Sequence, residues 1–158
     1  MLLDEFLQLE GNDLISCLDG YQQELVVALL ENVNGDYIKA ADNWLSASPS
    51  NTYRFGGEHN RSSVFREKIF EELEKFICGC DDGRYDSDRK NLNEQKDNSK
   101  EAIISVISAA IGSYIGVAAA FVAPVLVLIF LSMGKIAKNA WCEMMKEMKV
   151  KSISTQNS

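Results

Sequence analysis

The residues best suited to acid–base chemistry lie together in one loop-like stretch. His59, the only histidine, follows Glu58 and the glycine pair at 56–57, and an imidazole beside a carboxylate can transfer protons near neutral pH. A lone loop histidine is more often a surface residue, and no serine or cysteine stands in a triad-like setting. The glycine pair also lacks the flanking sequence of a phosphate-binding loop. We therefore predict no catalytic residue, no cofactor and no small-molecule substrate, and we expect a protein that is not an enzyme.

The four cysteines are the next candidates, as metal ligands or as disulfides. Cys78 and Cys80 form a C-x-C pair, whereas Cys17 and Cys142 are distant from it in sequence. A tetrahedral zinc site needs four ligands, and no second close pair of cysteines or histidines completes one. The acidic runs lack the alternating oxygen ligands of a calcium-binding loop. We therefore predict no bound metal and expect the thiols to be reduced.

Charge is distributed unevenly along the 158 residues. Up to Glu101 the chain has 21 acidic and 11 basic residues, a net charge of −10, whereas the remainder has 2 acidic residues and 5 lysines, a net charge of +3. A duplex-binding domain usually presents a basic face, so this pattern argues against nucleic-acid binding. We expect no secretory signal in the first residues, because no basic stretch precedes an apolar core there.

Apolar residues recur every three or four positions in the first half, which is typical of amphipathic helices. One such stripe lies between Asp19 and the Asn34-Gly35 pair, and another between Phe65 and Gly79. Three or four helices of this kind can bury one small core. We predict an all-α fold with an acidic helical domain at residues 1–80. Residues 81–101 are rich in charged and amide side chains and are predicted to be a polar connector.

Residues 102–134 contain no charged side chain. If helical throughout, such a segment is longer than the roughly 20 residues that cross a bilayer. It can be one helix kinked at Pro124 or a helical hairpin that turns near Gly112 to Gly116. In either arrangement lipid or protein must cover it.

Small residues recur along this segment at helical spacing, and Gly112 and Gly116 form a GxxxG motif that permits close helix contact. We predict that this row mediates helix packing or self-association. Its candidate packing residues are Ser105, Ser108, Gly112, Gly116 and Ala120.

Residues 135–158 are predicted to form a basic amphipathic tail. A basic helix with a tryptophan at its apolar edge is suited to a lipid interface, and the same helix can instead pack back on the acidic body with its methionines filling gaps. The candidate interfacial residues are Lys135, Lys138, Trp141, Lys146 and Lys149.

These features predict a small membrane-anchored helical protein that recruits or senses a partner protein. It is expected to associate with membrane lipid, to keep its N-terminal domain in the cytoplasm, and to form a homo-oligomer if the small-residue row pairs. Membrane disruption is an extension of this hypothesis. The alternative is a cytoplasmic accessory subunit of a multi-protein complex, with its apolar C-terminal helices buried against partner subunits.

Overall fold

Helices make up the regular structure of the residues that are described. The computed structural model describes residues 1–47, 61–95, 97–135 and 137–157, without the side chains of residues 47, 61–63 and 148–157. Across these ranges there are nine helices and no strand, which confirms the predicted all-α fold. In chain order they are α1 (Leu3–Phe6), α2 (Gly11–Ile15), α3 (Gly20–Asn32), α4 (Tyr37–Ala47), α5 (Arg61–Cys78), α6 (Asp86–Glu94), α7 (Lys100–Ile115), α8 (Ala119–Met133) and α9 (Lys138–Asn157).

Local sequence signals set the ends of α3 and α4. The Oδ1 atom of Asp19 accepts a hydrogen bond from the Gln22 N–H at 2.9 Å and caps the first turn of α3. After α3, Asn34 and Gly35 adopt φ values of 55° and 82°, where glycine has no steric penalty. Asp36 then accepts from the Lys39 N–H at 3.1 Å and caps α4. Helices α3 and α4 pack against each other across this short turn, as in an αα-hairpin.

The apolar helix α8 is the centre of the core. It packs against α2, α4, α5 and α7, and the five residues from Val125 to Ile129 are completely buried. Burial removes apolar surface from water, which stabilises a fold by roughly 25 cal/mol per Å². The second half of the predicted apolar segment is therefore covered by other helices of the same chain.

The apolar segment is divided at Gly116, which has φ 83° and ends α7 in a left-handed conformation. The carbonyl of Gly112 accepts from the N–H groups of both Gly116 and Val117, each at 2.8 Å. Pro124 lies inside α8. Within the described ranges no single helix combines the length and hydropathy of a membrane span, whereas α7 and α8 satisfy both only as a pair that bends by 116°.

The predicted polar connector contains helix α6. Tyr85 and Leu92 are each 2% exposed, and the Tyr85 ring lies 5.4 Å from the ring of Phe76. Apolar side chains seven residues apart fall on one face of a helix, two turns apart. This face packs on α5 and α7, and residues from all four predicted segments contribute to one hydrophobic core.

A disulfide joins the end of α5 to α9. Cys78 is bonded to Cys142, with their Cα atoms 5.8 Å apart, whereas Cys17 and Cys80 are free. The prediction that the thiols are all reduced was therefore wrong for this pair. The two residues are separated by 64 positions, so only the packing of α9 against α5 brings them together.

Candidate functional site

An open groove lies where α7 and the start of α8 meet the turn between α2 and α3. It encloses about 400 Å³, a volume within the range of ligand pockets in proteins. We call it the small-residue groove. It is lined by Cys17, Leu18, Asp19, Gln22, Glu101, Ile104, Ser105, Ser108, Ala119, Ala120 and Ala123.

The lining of the groove is mostly apolar, and at its floor it includes the buried side chain of Ser108. Leu18 and Ile104 are 4% and 2% exposed. Ser108 is 1% exposed, and its Oγ atom has no hydrogen-bond partner among the described residues. A buried hydroxyl without a partner is energetically unfavourable. Ser108 therefore places an unused hydrogen-bond donor and acceptor beside the groove.

Pro124 and Gln22 organise the wall formed by α8. Proline has no N–H, so Pro124 cannot donate to the carbonyl oxygen of Ala120, four residues earlier. The Nε2 atom of Gln22 donates to this oxygen at 2.7 Å. Trp44 donates through Nε1 to the next carbonyl, that of Phe121, at 2.9 Å. Side chains of α3 and α4 thus hold the first turn of α8 in place beside the groove.

The thiol of Cys17 lines the same groove. Its Sγ atom donates to the Asp13 carbonyl oxygen at 3.4 Å, and burial raises the pKa of Cys17 to about 12. At neutral pH the thiol is protonated and is a poor nucleophile. Cys17 therefore contributes shape and polarity to the groove rather than covalent reactivity.

The rim of the groove is acidic. Asp19 and Glu101 are exposed, and neither carboxylate forms an ion pair with any residue that the structure describes. Lys100, beside Glu101, donates instead to Ser16 Oγ at 2.6 Å and lies 3.7 Å from Asp13. Two exposed carboxylates without an ion pair thus stand at the mouth of the groove.

The predicted small-residue row does not form one continuous packing face. Ser108 and Gly112 are buried, whereas Ser105, Gly116 and Ala120 are exposed. A Cβ atom on Gly112 would lie 2.6 Å from the carbonyl oxygen of Val117. The absence of a side chain at Gly112 therefore makes room for the turn between α7 and α8. Ser105, Ser108 and Ala120 come together in the groove. Their tertiary arrangement, with α3 as the opposite wall, had no signal in the sequence.

The predicted interfacial residues lie in different environments. Trp141 is 1% exposed in the core, and its Nε1 atom has no partner in the described part of the chain. Lys135 is exposed and pairs with Glu10 at 2.7 Å. Lys138 is half-buried and Lys146 is exposed. The side chain of Lys149 lies outside the described residues.

A second polar cluster surrounds Glu72, which is fully buried on α5. Its Oε1 atom accepts from the Tyr85 hydroxyl at 2.7 Å and from Arg84 at 2.9 Å, and Lys75 donates to Oε2 at 3.3 Å. Burial opposes ionisation, but these hydrogen bonds outweigh it and lower the pKa of Glu72. The Arg84 guanidinium also stacks 3.9 Å from the ring centre of Tyr114.

The Glu72 cluster is structural because every charged group in it has a partner. It fastens the segment before α6 to α5 and α7. A sequence signal exists only for part of it, in the spacing of Lys68, Glu72 and Lys75 on one helix face.

His59, Glu58 and the glycine pair at 56–57 lie outside the described residues. Among the residues that are described, no group of histidine, cysteine or acidic side chains is arranged to hold a metal ion.

No known protein family, curated protein or solved structure matches this chain. The small-residue groove and the charged surface around it are therefore the features that bear on function.

Proposed function

We propose that this chain is a non-enzymatic helical protein that acts by binding another protein through its acidic N-terminal surface. The proposal keeps the partner-binding role that the sequence predicts. It differs in where the partner binds, because α8 is covered by the chain's own helices. The partner is expected to contact the surface of the fold rather than to replace its core.

The observation that carries the proposal is the charge of helices α1 to α4. Residues 1–47 contain nine acidic residues and one lysine, a net charge of −8. Eight of the acidic side chains are exposed, and only three of the nine form ion pairs with described residues, namely those of Glu10, Asp13 and Asp42. Such a field attracts basic partners and raises association rates.

Apolar groups are interspersed with these charges. Tyr21 is 72% exposed and Val27 is 44% exposed, both on α3. Exposed aromatic and aliphatic side chains supply the contact area that charges alone do not provide. An acidic surface with apolar contacts is suited to a partner that is both basic and amphipathic.

The test is to purify the full-length chain after co-expression with each protein encoded by its neighbouring genes. A true partner should co-purify in a fixed ratio and should dissociate as salt is raised. Reversing two exposed charges of α3, with Glu24→Lys and Glu31→Lys, should abolish the complex. The matched control reverses two exposed glutamates of α9, with Glu143→Lys and Glu147→Lys, and should leave it intact. Equal effects of the two pairs would contradict the proposal.

A second candidate function is membrane insertion, and the α7–α8 pair favours it because together these helices have the length and hydropathy of a span. Insertion would require α8 to leave the core. Flotation of the purified chain with anionic phospholipid vesicles separates the two candidates. The partner-binding proposal expects the chain to stay at the bottom of the gradient, and recovery with the vesicles would favour insertion.

A further inference from the structure

The small-residue groove has features that the acidic surface by itself does not explain. Its floor and walls include five small side chains from α7 and α8, and Ser108 Oγ lies buried there without a partner. Small side chains allow another backbone to approach closely. A buried, unpaired hydroxyl is an independent sign that a polar group from outside is needed.

The dimensions of the groove correspond to a short helical contact. Glu101 and Ser108 both line it and are seven residues apart on α7, which is about 10 Å or two helical turns. An incoming helix that places residues i, i+4 and i+7 against a groove spans the same distance. The groove is thus long enough to contact three side chains on one face of a helix, at positions i, i+4 and i+7.

The rim selects the charge of the occupant. Asp19 and Glu101 stand at the mouth of the groove without ion pairs to any described residue, while the neighbouring Lys100 is occupied by Ser16 and Asp13. An acidic helix would be repelled, and a neutral helix would leave both carboxylates unpaired. A helix with lysine or arginine beside its small-residue face complements both features.

We infer that the small-residue groove binds a basic amphipathic helix of a partner protein. The helix lays alanine-sized residues on the floor, supplies a serine, threonine or asparagine to the Ser108 hydroxyl, and places cationic side chains beside Asp19 and Glu101. This inference rests on the proposed partner-binding function and names the site and the class of segment that is bound.

The probe is a capped helical peptide of roughly 18 residues, long enough to be helical in water, with alanine and serine on one face and lysine on the other. A matched peptide has glutamate in place of every lysine. Binding to the full-length, ¹⁵N-labelled chain is followed by amide chemical-shift changes. The lysine peptide is expected to bind with a dissociation constant below about 1 mM and to shift the groove residues, and the glutamate peptide is expected not to bind.

Two variants fill the groove, one from α7 and one from α8, and two others remove its rim charges. Ala120→Leu and Ser105→Leu change exposed positions, so the core stays intact. Each is expected to weaken binding of the lysine peptide at least tenfold. Ala109 is also exposed and lies outside the groove, so Ala109→Leu should leave binding unchanged. Asp19→Asn retains a good helix cap. Together with Glu101→Gln it is expected to reduce the affinity for the lysine peptide and the salt dependence of that affinity, whereas Glu143→Gln, at an exposed position of α9, changes neither.

The outcomes separate the site from the function. If the lysine peptide binds but the groove variants bind it as well as the native chain, the groove is not the site and the acidic-surface function stands. If the peptide does not bind at all, the inference is overturned, and the co-expression experiment judges the function independently. Concentration-dependent dimerisation that Ala120→Leu abolishes would assign the groove to a second copy. Vesicle binding abolished by the same variant would assign it to lipid, and either result also overturns the inference.

Discussion

Gln22 Nε2 lies 2.7 Å from the carbonyl oxygen of Ala120 and supplies the hydrogen bond that Pro124 cannot make. The polar tip of one helix therefore compensates for a missing donor in another. The same contact fixes the distance between α3 and α8, which are two sides of the small-residue groove.

This relationship predicts a coupled effect of two substitutions. Gln22→Ala should lower the free energy of unfolding by about 1–3 kcal/mol, because it leaves the Ala120 carbonyl without a partner. In a Pro124→Ala background the new N–H donates to that carbonyl, so the cost of Gln22→Ala should fall below about 1 kcal/mol. Urea denaturation of the four proteins gives the coupling energy. Gln23 is the control, since its Nε2 bonds the Leu18 carbonyl at 2.7 Å, and Gln23→Ala should not couple to Pro124→Ala.

The unpaired hydroxyl of Ser108 predicts a stabilising substitution. Ser108→Ala removes a buried polar group without a partner and should raise the free energy of unfolding of the unbound chain by about 1 kcal/mol. Ser105→Ala, at an exposed position on the same helix, should change it by less than about 0.5 kcal/mol. Thermal or urea unfolding measures both. A clear loss of stability in Ser108→Ala would mean that the hydroxyl has a partner in the free protein.

Gly112 predicts a steric effect at the turn between α7 and α8. The Cβ of Gly112→Ala would lie 2.6 Å from the Val117 carbonyl oxygen, so the variant should lose roughly 1–3 kcal/mol of stability. Gly20→Ala is the matched control because its Cβ meets nothing within 4 Å at the start of α3. It should be neutral or stabilise the fold by up to about 1 kcal/mol. Equal effects at the two positions would show that the turn does not need a glycine at 112.

The disulfide between α5 and α9 predicts a large difference in stability. The bond closes a loop between Cys78 and Cys142, which are 64 residues apart. The resulting loss of entropy in the unfolded chain stabilises the fold by about 4 kcal/mol at 25 °C. Cys142→Ser should therefore lower the free energy of unfolding by about 2–4 kcal/mol. The free, half-exposed Cys80 provides the control variant Cys80→Ser. Retention of full stability by Cys142→Ser would contradict a structural role for the bond.

The buried Glu72 predicts a dependence of stability on pH. The folded-state pKa of Glu72 is lowered, so its ion pairs contribute their full stabilisation above the ordinary glutamate pKa. This stabilisation is lost as pH falls through the lower folded-state pKa. Glu72→Gln should lose about 1–3 kcal/mol at pH 7, and this difference from the native chain should shrink towards about pH 3. Urea denaturation across this pH range checks it. A difference that is constant with pH would show that Glu72 is not ionised in the fold.

Short-range signals in the sequence predicted much of the secondary structure. Asp19 caps α3, the Asn34-Gly35 pair ends it, and Gly79 follows α5 in a positive-φ conformation. Each of these signals depends on one or two residues and their immediate neighbours, so no tertiary information is needed. No apolar stripe indicates α6, because Tyr85, at its N-cap, and Leu92 are the buried apolar residues of an otherwise polar segment.

The sequence by itself determined that the chain is helical, that its first part is acidic, and that residues 102–134 carry no charge. The expectation that all of them are covered holds for most of α8 but not for α7, where Ser105, Ala109 and Tyr114 are exposed. The sequence could not determine what covers these residues, because a segment without charges has no polar face to show which side meets water. The tertiary structure decided that α8 is enclosed by α2, α4, α5 and α7, that Cys78 meets Cys142, and that Ser108 faces a groove. These relationships join residues far apart in the chain, where packing of complete helices sets the distances.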